Sequence, residues 1–287
     1  MKLPKPSSEF FSPERRQEIL DYLIHQFKQD PKIAGAILVG SGAYGFTDEY
    51  SDIDFSIITY AQYDVKVIFH EWYSKLLNQL EIIHSFDIEY NPDNFLMGLF
   101  LEDFLELNIG FQKITHVFAK RKHWKVLFDK TDSLSKIMED SWKQNQENRQ
   151  KFIASNLKFL VNGSWHYVNS TVIALSRENY WRVIRELDIL RTRIIDIVAM
   201  RYDIKVTSFL DSEHMTEDFR RSLSETLIPR APFDKKEFFE VIRSLTTLYY
   251  AEANKSAQFC NSEDFHYLEK RMNDYLAYAE KRIIHQT

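Results

Sequence analysis

Ten residues separate a Gly40-Ser41 pair from Asp52, which with Asp54 supplies two carboxylates, and these residue types suit the handling of phosphate and a divalent cation. The apolar run Ile33 to Val39 stops at Gly40-Ser41-Gly42, where a chain turns without Cβ clashes and lets a phosphate approach its backbone. Peptide N–H groups in such a turn, with the Ser41 hydroxyl, would hydrogen-bond the outer phosphates of a nucleoside triphosphate. The following segment, DIDFSIITY, alternates so that Asp52, Asp54 and Ser56 share one face of a strand while Ile53, Phe55 and Ile57 take the other.

Neighbouring carboxylates repel, and each resists ionising unless a cation offsets the repulsion. Magnesium fits that role, because it prefers hard oxygen ligands and commonly binds through one or two carboxylates plus substrate phosphates. In a two-metal site the ions clamp the attacking and leaving oxygens of an in-line displacement. The plainer alternative, two acids opening an exposed strand after a loop, has to contend with the poor fit of aspartate to strand interiors.

The elements that must position these residues are legible around them. Ser12-Pro13 opens a helix to about Asp30, with Ile19, Leu20, Tyr22, Leu23 and Phe27 as its apolar face, expected to pack on a sheet. From Ile33 to about Phe128 the chain is strand-rich, with a helix near Val65 to Leu80. Leu99 to Phe111 reads as a hairpin with Glu102-Asp103 near its turn, its second arm carrying Glu106 and Asn108 on one face. Asp87 and Glu89, spaced by two on another strand, are rival metal ligands or bases, or simply the outer face of that strand.

After Asp132 apolar residues recur at helical spacing and glycine occurs only at Gly163. The expected architecture is therefore α+β: a mixed sheet flanked by helices over residues 1–132, followed by an all-α bundle over 133–287. The polar KTDSLS stretch between them is too short for a flexible linker and predicts close packing with a cleft. The clearest helix runs from Glu178 to Met200, with Trp181, Ile184, Leu187, Leu190, Ile194 and Val198 as its buried seam. Glu178, Arg182 and Glu186 follow at i, i+4 along an exposed face. Arg182, Arg185, Arg191 and Arg193 form the densest arginine group of that half. The segment Asn162 to Ser176 mixes aromatic and small polar residues, as either an acceptor or base-stacking pocket or a packed helix start would. Further helices are expected at Phe219 to Ile228 and Phe238 to Tyr250, separated by Pro229 and Pro232.

Composition narrows the class. With 287 residues, 44% hydrophobic, the chain can build one large or two ordinary cores and is no disordered segment. Its 37 Lys and Arg against 42 Asp and Glu give a net charge of -5, which offers no general attraction to nucleic acid or anionic lipid. The single cysteine, Cys260, excludes an internal disulfide and suits a reducing compartment. The nine histidines never pair at His-x-x-x-His spacing, so zinc is not indicated. The N-terminal residues lack the apolar core of a secretion signal, and no segment has the apolar length of a membrane span, so a cytoplasmic protein is expected.

Gly-Ser, a spacer and Asp-hydrophobic-Asp-hydrophobic together resemble the motif of the DNA polymerase beta-type nucleotidyltransferase superfamily. Within it, the length and the helical second half are similar to aminoglycoside adenylyltransferases of the streptomycin 6-type. Val126-Leu127-Phe128-Asp129-Lys130-Thr131 also resembles a strand ending in Asp-Lys that follows the catalytic strands of those enzymes.

The resemblance implies transfer of a nucleoside monophosphate, with ATP as the expected co-substrate, to a hydroxyl of a small acceptor. It implies two Mg²⁺ ions held by Asp52 and Asp54, Gly40 and Ser41 on the β and γ phosphates, and a third carboxylate on a later strand. Glu106 or Asn108 could occupy that last position, and Glu106 is taken as the ligand; an amide there would impair catalysis. In related enzymes the helical domain closes over nucleotide and acceptor, which makes Arg185 and its neighbours candidates for phosphate contact. An aminoglycoside-like acceptor, and so antibiotic resistance, is the first expectation, with which the acidic net charge agrees. An enzyme modifying a protein or RNA acceptor, or a catalytically impaired nucleotide-binding module, are the alternatives.

Overall fold

The computed structural model describes residues 13–46, 50–119, 122–202, 215–228 and 231–284. The chain divides into two compact units, Met1–Gln146 and Glu147–Thr287.

The first unit is built on six strands: β1 (Ile33–Leu38), β2 (Ile53–Thr59), β3 (Ile82–Asn91), β4 (Asn94–Leu101), β5 (Glu106–Lys113) and β6 (Lys125–Asp129). They form one sheet in the order β3-β4-β5-β2-β1-β6. Only β2 and β5 run parallel, so the sheet is mixed. Helices α1 (Pro13–Gln29) and α2 (Val65–Gln79) cover one face. Ile19, Leu23 and Phe27 of α1, with Phe69 and Trp72 of α2, pack there against Ile53, Phe55, Met97, Leu99, Leu107, Ile109 and Phe111.

β1 is buried along its whole length because its opposite face is covered as well. Ala34 and Ile37 meet Leu134 and Met138, in the first turns of α3 (Leu134–Ser176). That double cover explains why β1 reads as an uninterrupted apolar run while β2 alternates. Asp129, at the end of β6, sets the start of α3. Its carboxylate accepts hydrogen bonds from the Thr131 and Leu134 amides at 2.8 and 2.7 Å. The Asp-Lys strand end singled out in the sequence thus has a structural task in this fold.

The second unit takes up the rest of α3 with α4 (Tyr180–Tyr202), α5 (Glu217–Ser224), α6 (Lys235–Phe259) and α7 (His266–Ile283). Its core joins Leu157 and Val161 of α3, Val183, Leu187, Leu190 and Ile194 of α4, and Phe238, Leu245 and Tyr249 of α6. The segment Asn162 to Ser176 lies wholly inside α3. Among the described residues no helix is long and apolar enough to cross a membrane.

Two expectations for α4 need correction. Glu178 lies before the helix with φ 56° and pairs with Lys235, so it starts no i, i+4 ladder. Trp181 sits in the first turn of α4 and is 78% exposed, while Val183 takes the buried seam position. Glu186 is buried rather than facing water, with the Arg182 and Arg185 guanidinium groups beside it. A buried carboxylate needs such partners, and two of the clustered arginines supply them. Ser12 and Pro229, expected as helix cap and helix breaker, lie outside the described residues.

Candidate functional site

Antiparallel pairing of β1 with β2 brings the end of one strand beside the start of the other: Leu38 registers with Phe55. The Val39 amide donates to the Asp54 carbonyl at 3.0 Å. The chain between them opens with a 3-10 turn, Gly40–Tyr44. Parallel pairing then sets the start of β5 alongside, with Ile53 opposite Leu107 and Asp54 opposite Asn108. Three neighbouring strands therefore bring their ends together at one end of the sheet.

Gly40 has φ 63°, and a Cβ built on it would lie 2.5 Å from Asp54 Oδ2. Any other residue here would be strained and would collide with that carboxylate, so glycine is what lets the turn and the acid meet. The Ser41 hydroxyl is buried with no hydrogen-bond partner among the described residues. A buried orphan hydroxyl is uncommon and calls for an explanation such as a ligand. The turn is anchored from below by Leu38 and Phe46, whose atoms would stand 3.0 Å from a Cβ on Gly42. The Arg16 guanidinium lies 4.6 Å from the centre of the Phe46 ring.

Asn108 stands between the acids. Its Nδ2 donates to Asp52 Oδ2 at 3.1 Å and to Glu106 Oε1 at 3.3 Å. Of the two candidates for the third position, the amide registers with Asp54 and touches Asp52, while Glu106 stands one step further along the same face of β5. The start of β5 is fixed by an ion pair from outside the site. Arg15 Nε of α1 donates to Asp103 Oδ2 at 2.7 Å in the turn between β4 and β5, with both side chains buried.

Asp87 and Glu89 are directed elsewhere. Glu89 pairs with Lys66 of α2 at 2.9 Å, and the two acids register with Met97 and Phe95, which belong to the helix-covered core. Arg185 projects from α4 with its side chain 71% exposed and pairs with Glu186 at 3.2 Å. Its neighbours serve the helical unit: Arg191 is buried against Asp188 and Thr226, and Arg193 donates to the Tyr167 hydroxyl. Sequence reasoning missed both the Asn108 bridge and the Arg15–Asp103 pair. An amide in phase with Glu106 was the available signal for the first; nothing local marks the second, whose partners lie 88 residues apart.

Among the described residues no three or more His, Cys, Asp or Glu side chains are grouped to hold a metal ion by themselves. The donor set does fit magnesium brought with a triphosphate, since such an ion needs only one or two protein carboxylates and completes its shell with phosphate oxygens and water. Asp52 and Asp54 would hold it, with the Gly40-Ser41 turn at the phosphates.

Comparison with known proteins bears on this arrangement. No curated protein matches the chain in sequence. Among solved structures, an aminoglycoside 6-adenyltransferase from Bacillus subtilis is similar at 14% identity, over 92% of this chain and 98% of that one, with a TM-score of 0.44. A nucleotidyltransferase-like protein from Exiguobacterium sibiricum 255-15 is similar at 10% identity, over 82% and 76% of the two chains, with a TM-score of 0.40. The Cid1 poly(U) polymerase with MgGTP bound is similar at 13% identity, over 86% and 70%, with a TM-score of 0.31. The family model described as a nucleotidyltransferase domain matches residues 19–106, a span that takes in α1 from Ile19 onward, the Gly40-Ser41 turn, both aspartates and the first residue of β5. Residues 19–106 of this chain therefore match a nucleotidyltransferase domain.

Proposed function

We propose that this protein is a magnesium-dependent nucleotidyltransferase that transfers AMP from ATP to a hydroxyl of a small molecule and releases pyrophosphate. The observation that supports it most is the Gly40-Ser41 turn set against the Asp54 carboxylate, with the Ser41 hydroxyl buried and unpartnered among the described residues. A phosphate acceptor group would satisfy that hydroxyl, and the turn's backbone would hold the β and γ phosphates in place.

In the transfer, the acceptor oxygen bonds to the α-phosphorus as the bond to the bridging oxygen breaks. The electron pair leaves with pyrophosphate and the hydroxyl proton passes to solvent. When bound, magnesium supplies neutralisation of phosphate charge and a lower pKa for the acceptor hydroxyl. Asp52 and Asp54 contribute the anionic oxygens on one side of the reacting phosphate. Glu106 adds a third carboxylate, which the Asn108 amide orients.

A second reading is favoured by one observation: Asn108 rather than a carboxylate registers with Asp54. A domain so altered would bind nucleotide and transfer it slowly or not at all. Pyrophosphate release from ATP in the presence of Mg²⁺ and a panel of hydroxyl compounds, with aminoglycosides included, separates the two when calorimetry of ATP binding is run alongside. Binding with turnover supports the enzyme; binding without turnover for any acceptor supports the impaired module. Asn108→Asp sharpens the choice. It should raise turnover at least several-fold if the amide limits catalysis and leave it unchanged or lower if Glu106 already completes the site.

A further inference from the structure

The face of the sheet that carries Asp54 continues past it, and beyond Glu106 and Asn108 it is apolar except for His84 in the rows nearest the acids. Cross-strand register draws the rows. Asp54 lies opposite Asn108, Asn108 opposite Gly98, and Gly98 opposite Phe86 at the sheet edge. The row on one side runs Ser56, Gly110, Leu96, Ile88, and on the other Glu106, Phe100, His84. Directly paired residues share a face, so these side chains stand beside the acids. Gly98 makes room for an aromatic ring: a Cβ there would lie 2.2 Å from Phe86 Cε1 and Cζ. Phe86, Leu96 and Phe100 are half-buried and Ile88 is 39% exposed. The two acids of β3 point to the opposite face, as the ion pair of Glu89 with Lys66 of α2 shows. Ser85 goes the same way, to the Tyr73 hydroxyl at 2.9 Å.

In-line displacement fixes which ligand meets this surface. Entering and leaving oxygens lie on opposite sides of the phosphorus. The Gly40-Ser41 turn follows β1 and would hold the leaving phosphates on one side of β2. β5, β4 and β3 lie on the other. The acceptor therefore comes from the side where Phe86, Ile88, Leu96 and Phe100 stand.

We infer that the acceptor's non-reacting part is an uncharged apolar or aromatic group laid on Phe86, Ile88, Leu96 and Phe100, with its hydroxyl at Asp52 and Asp54. A polycationic sugar would find Glu106 as the one carboxylate among the described residues of these rows beyond β2, and further on hydrocarbon and the His84 imidazole. This deepens the reading proposed above and rests on it.

The test uses the full chain with Mg²⁺ and α,β-methylene ATP, and calorimetry of phenyl glucoside, methyl glucoside and streptomycin. The two glucosides share their sugar hydroxyls and differ in the aryl group alone. Phenyl glucoside is expected to bind about tenfold or more tightly than methyl glucoside, as burial of most of an aromatic ring implies. Phe86→Ala should bring that ratio below about threefold with the affinity for the nucleotide analogue unchanged. Ile88→Glu, at an exposed position where folding is not at stake, should lower it by a smaller factor. Equal affinity for the glucosides, no measurable binding of phenyl glucoside, streptomycin binding more tightly than phenyl glucoside, or a preference that both variants leave intact, each with the nucleotide analogue bound, overturns the inference alone. Absence of nucleotide binding overturns the underlying reading, and this inference with it.

Discussion

On β2, Ile53, Phe55 and Ile57 enter the helix-covered core, while Asp54 and Ser56, out of phase by one residue, stay half-buried on the opposite face. β5 repeats the division, with Leu107, Ile109 and Phe111 buried and Glu106, Asn108 and Gly110 half-buried. The two faces of the same strands thus carry different obligations. One supplies the apolar burial that fixes register, since a slip by one residue would turn every core side chain outward. The other is freed by that anchoring to bring like charges together, an arrangement that stabilises nothing by itself.

The comparison makes opposite predictions for the two faces. The largest effect is expected at Asp54. Asp54→Asn keeps the size of the side chain but removes an anionic ligand, so Mg²⁺-dependent pyrophosphate release from ATP should fall about a thousandfold or more, with the unfolding midpoint nearly unchanged. Turnover within tenfold of the parent would break the assignment of this face to chemistry. On the other face, Ile109→Ala should do the reverse. Ile109 is fully buried, and its truncation should cost about 2–5 kcal/mol in denaturant unfolding. Below the transition, the affinity for ATP should stay within a few-fold of the parent. A large loss of ATP affinity in a folded Ile109→Ala variant would show that the faces are coupled more tightly than their alternation implies.

Gly40 tests the join between them. Its positive φ makes Gly40→Ala strained by about 1–2 kcal/mol, and the added Cβ would press on Asp54. The expected result is a modest fall in unfolding midpoint with a larger rise, about tenfold or more, in the KM for ATP. A purely structural turn would lower stability and leave the KM alone.

Much of this division was readable before any coordinates. Period-two alternation placed Asp52, Asp54 and Ser56 on one face, and the unbroken apolar run of β1 is the pattern of a strand covered on both faces. Periodicity reports which way a side chain faces, however, and says little about what it meets. Trp181 fitted the apolar stripe of α4 by spacing, yet it stands in the first turn, exposed, with its ring edge-on to Phe233 at 6.5 Å. Glu186 fitted an exposed ladder and is buried between arginines. Asn108 lies 56 residues from Asp52 in the sequence, and only strand order brings the two into reach. The shared face of Asp52 and Asp54 was legible because the two are local to one strand; the contact of Asn108 with Asp52 was not, because it comes from parallel pairing.

Asp129 offers the smallest and sharpest contrast: a carboxylate engaged entirely by the fold. Burial alone would raise its pKa, but hydrogen bonds from Thr131, Leu134 and Ser133 outweigh that and hold it below the ordinary value. A depressed folded pKa contributes stability above the unfolded-state pKa and loses it as pH falls through the folded one. Asp129→Ala should therefore cost about 1 kcal/mol at neutral pH, the usual worth of such a cap. The deficit should shrink as pH drops below about 4, where the parent's own carboxylate begins to protonate in the unfolded chain. ATP turnover at neutral pH should be unaffected, because Asp129 closes the start of α3 and touches none of Gly40, Asp52 or Asp54. A deficit that stays constant from neutral to acid pH would mean that the side chain acts by packing and not by charge. Lost turnover in a stable variant would extend the chemical face to β6, beyond the three strand ends that now define it.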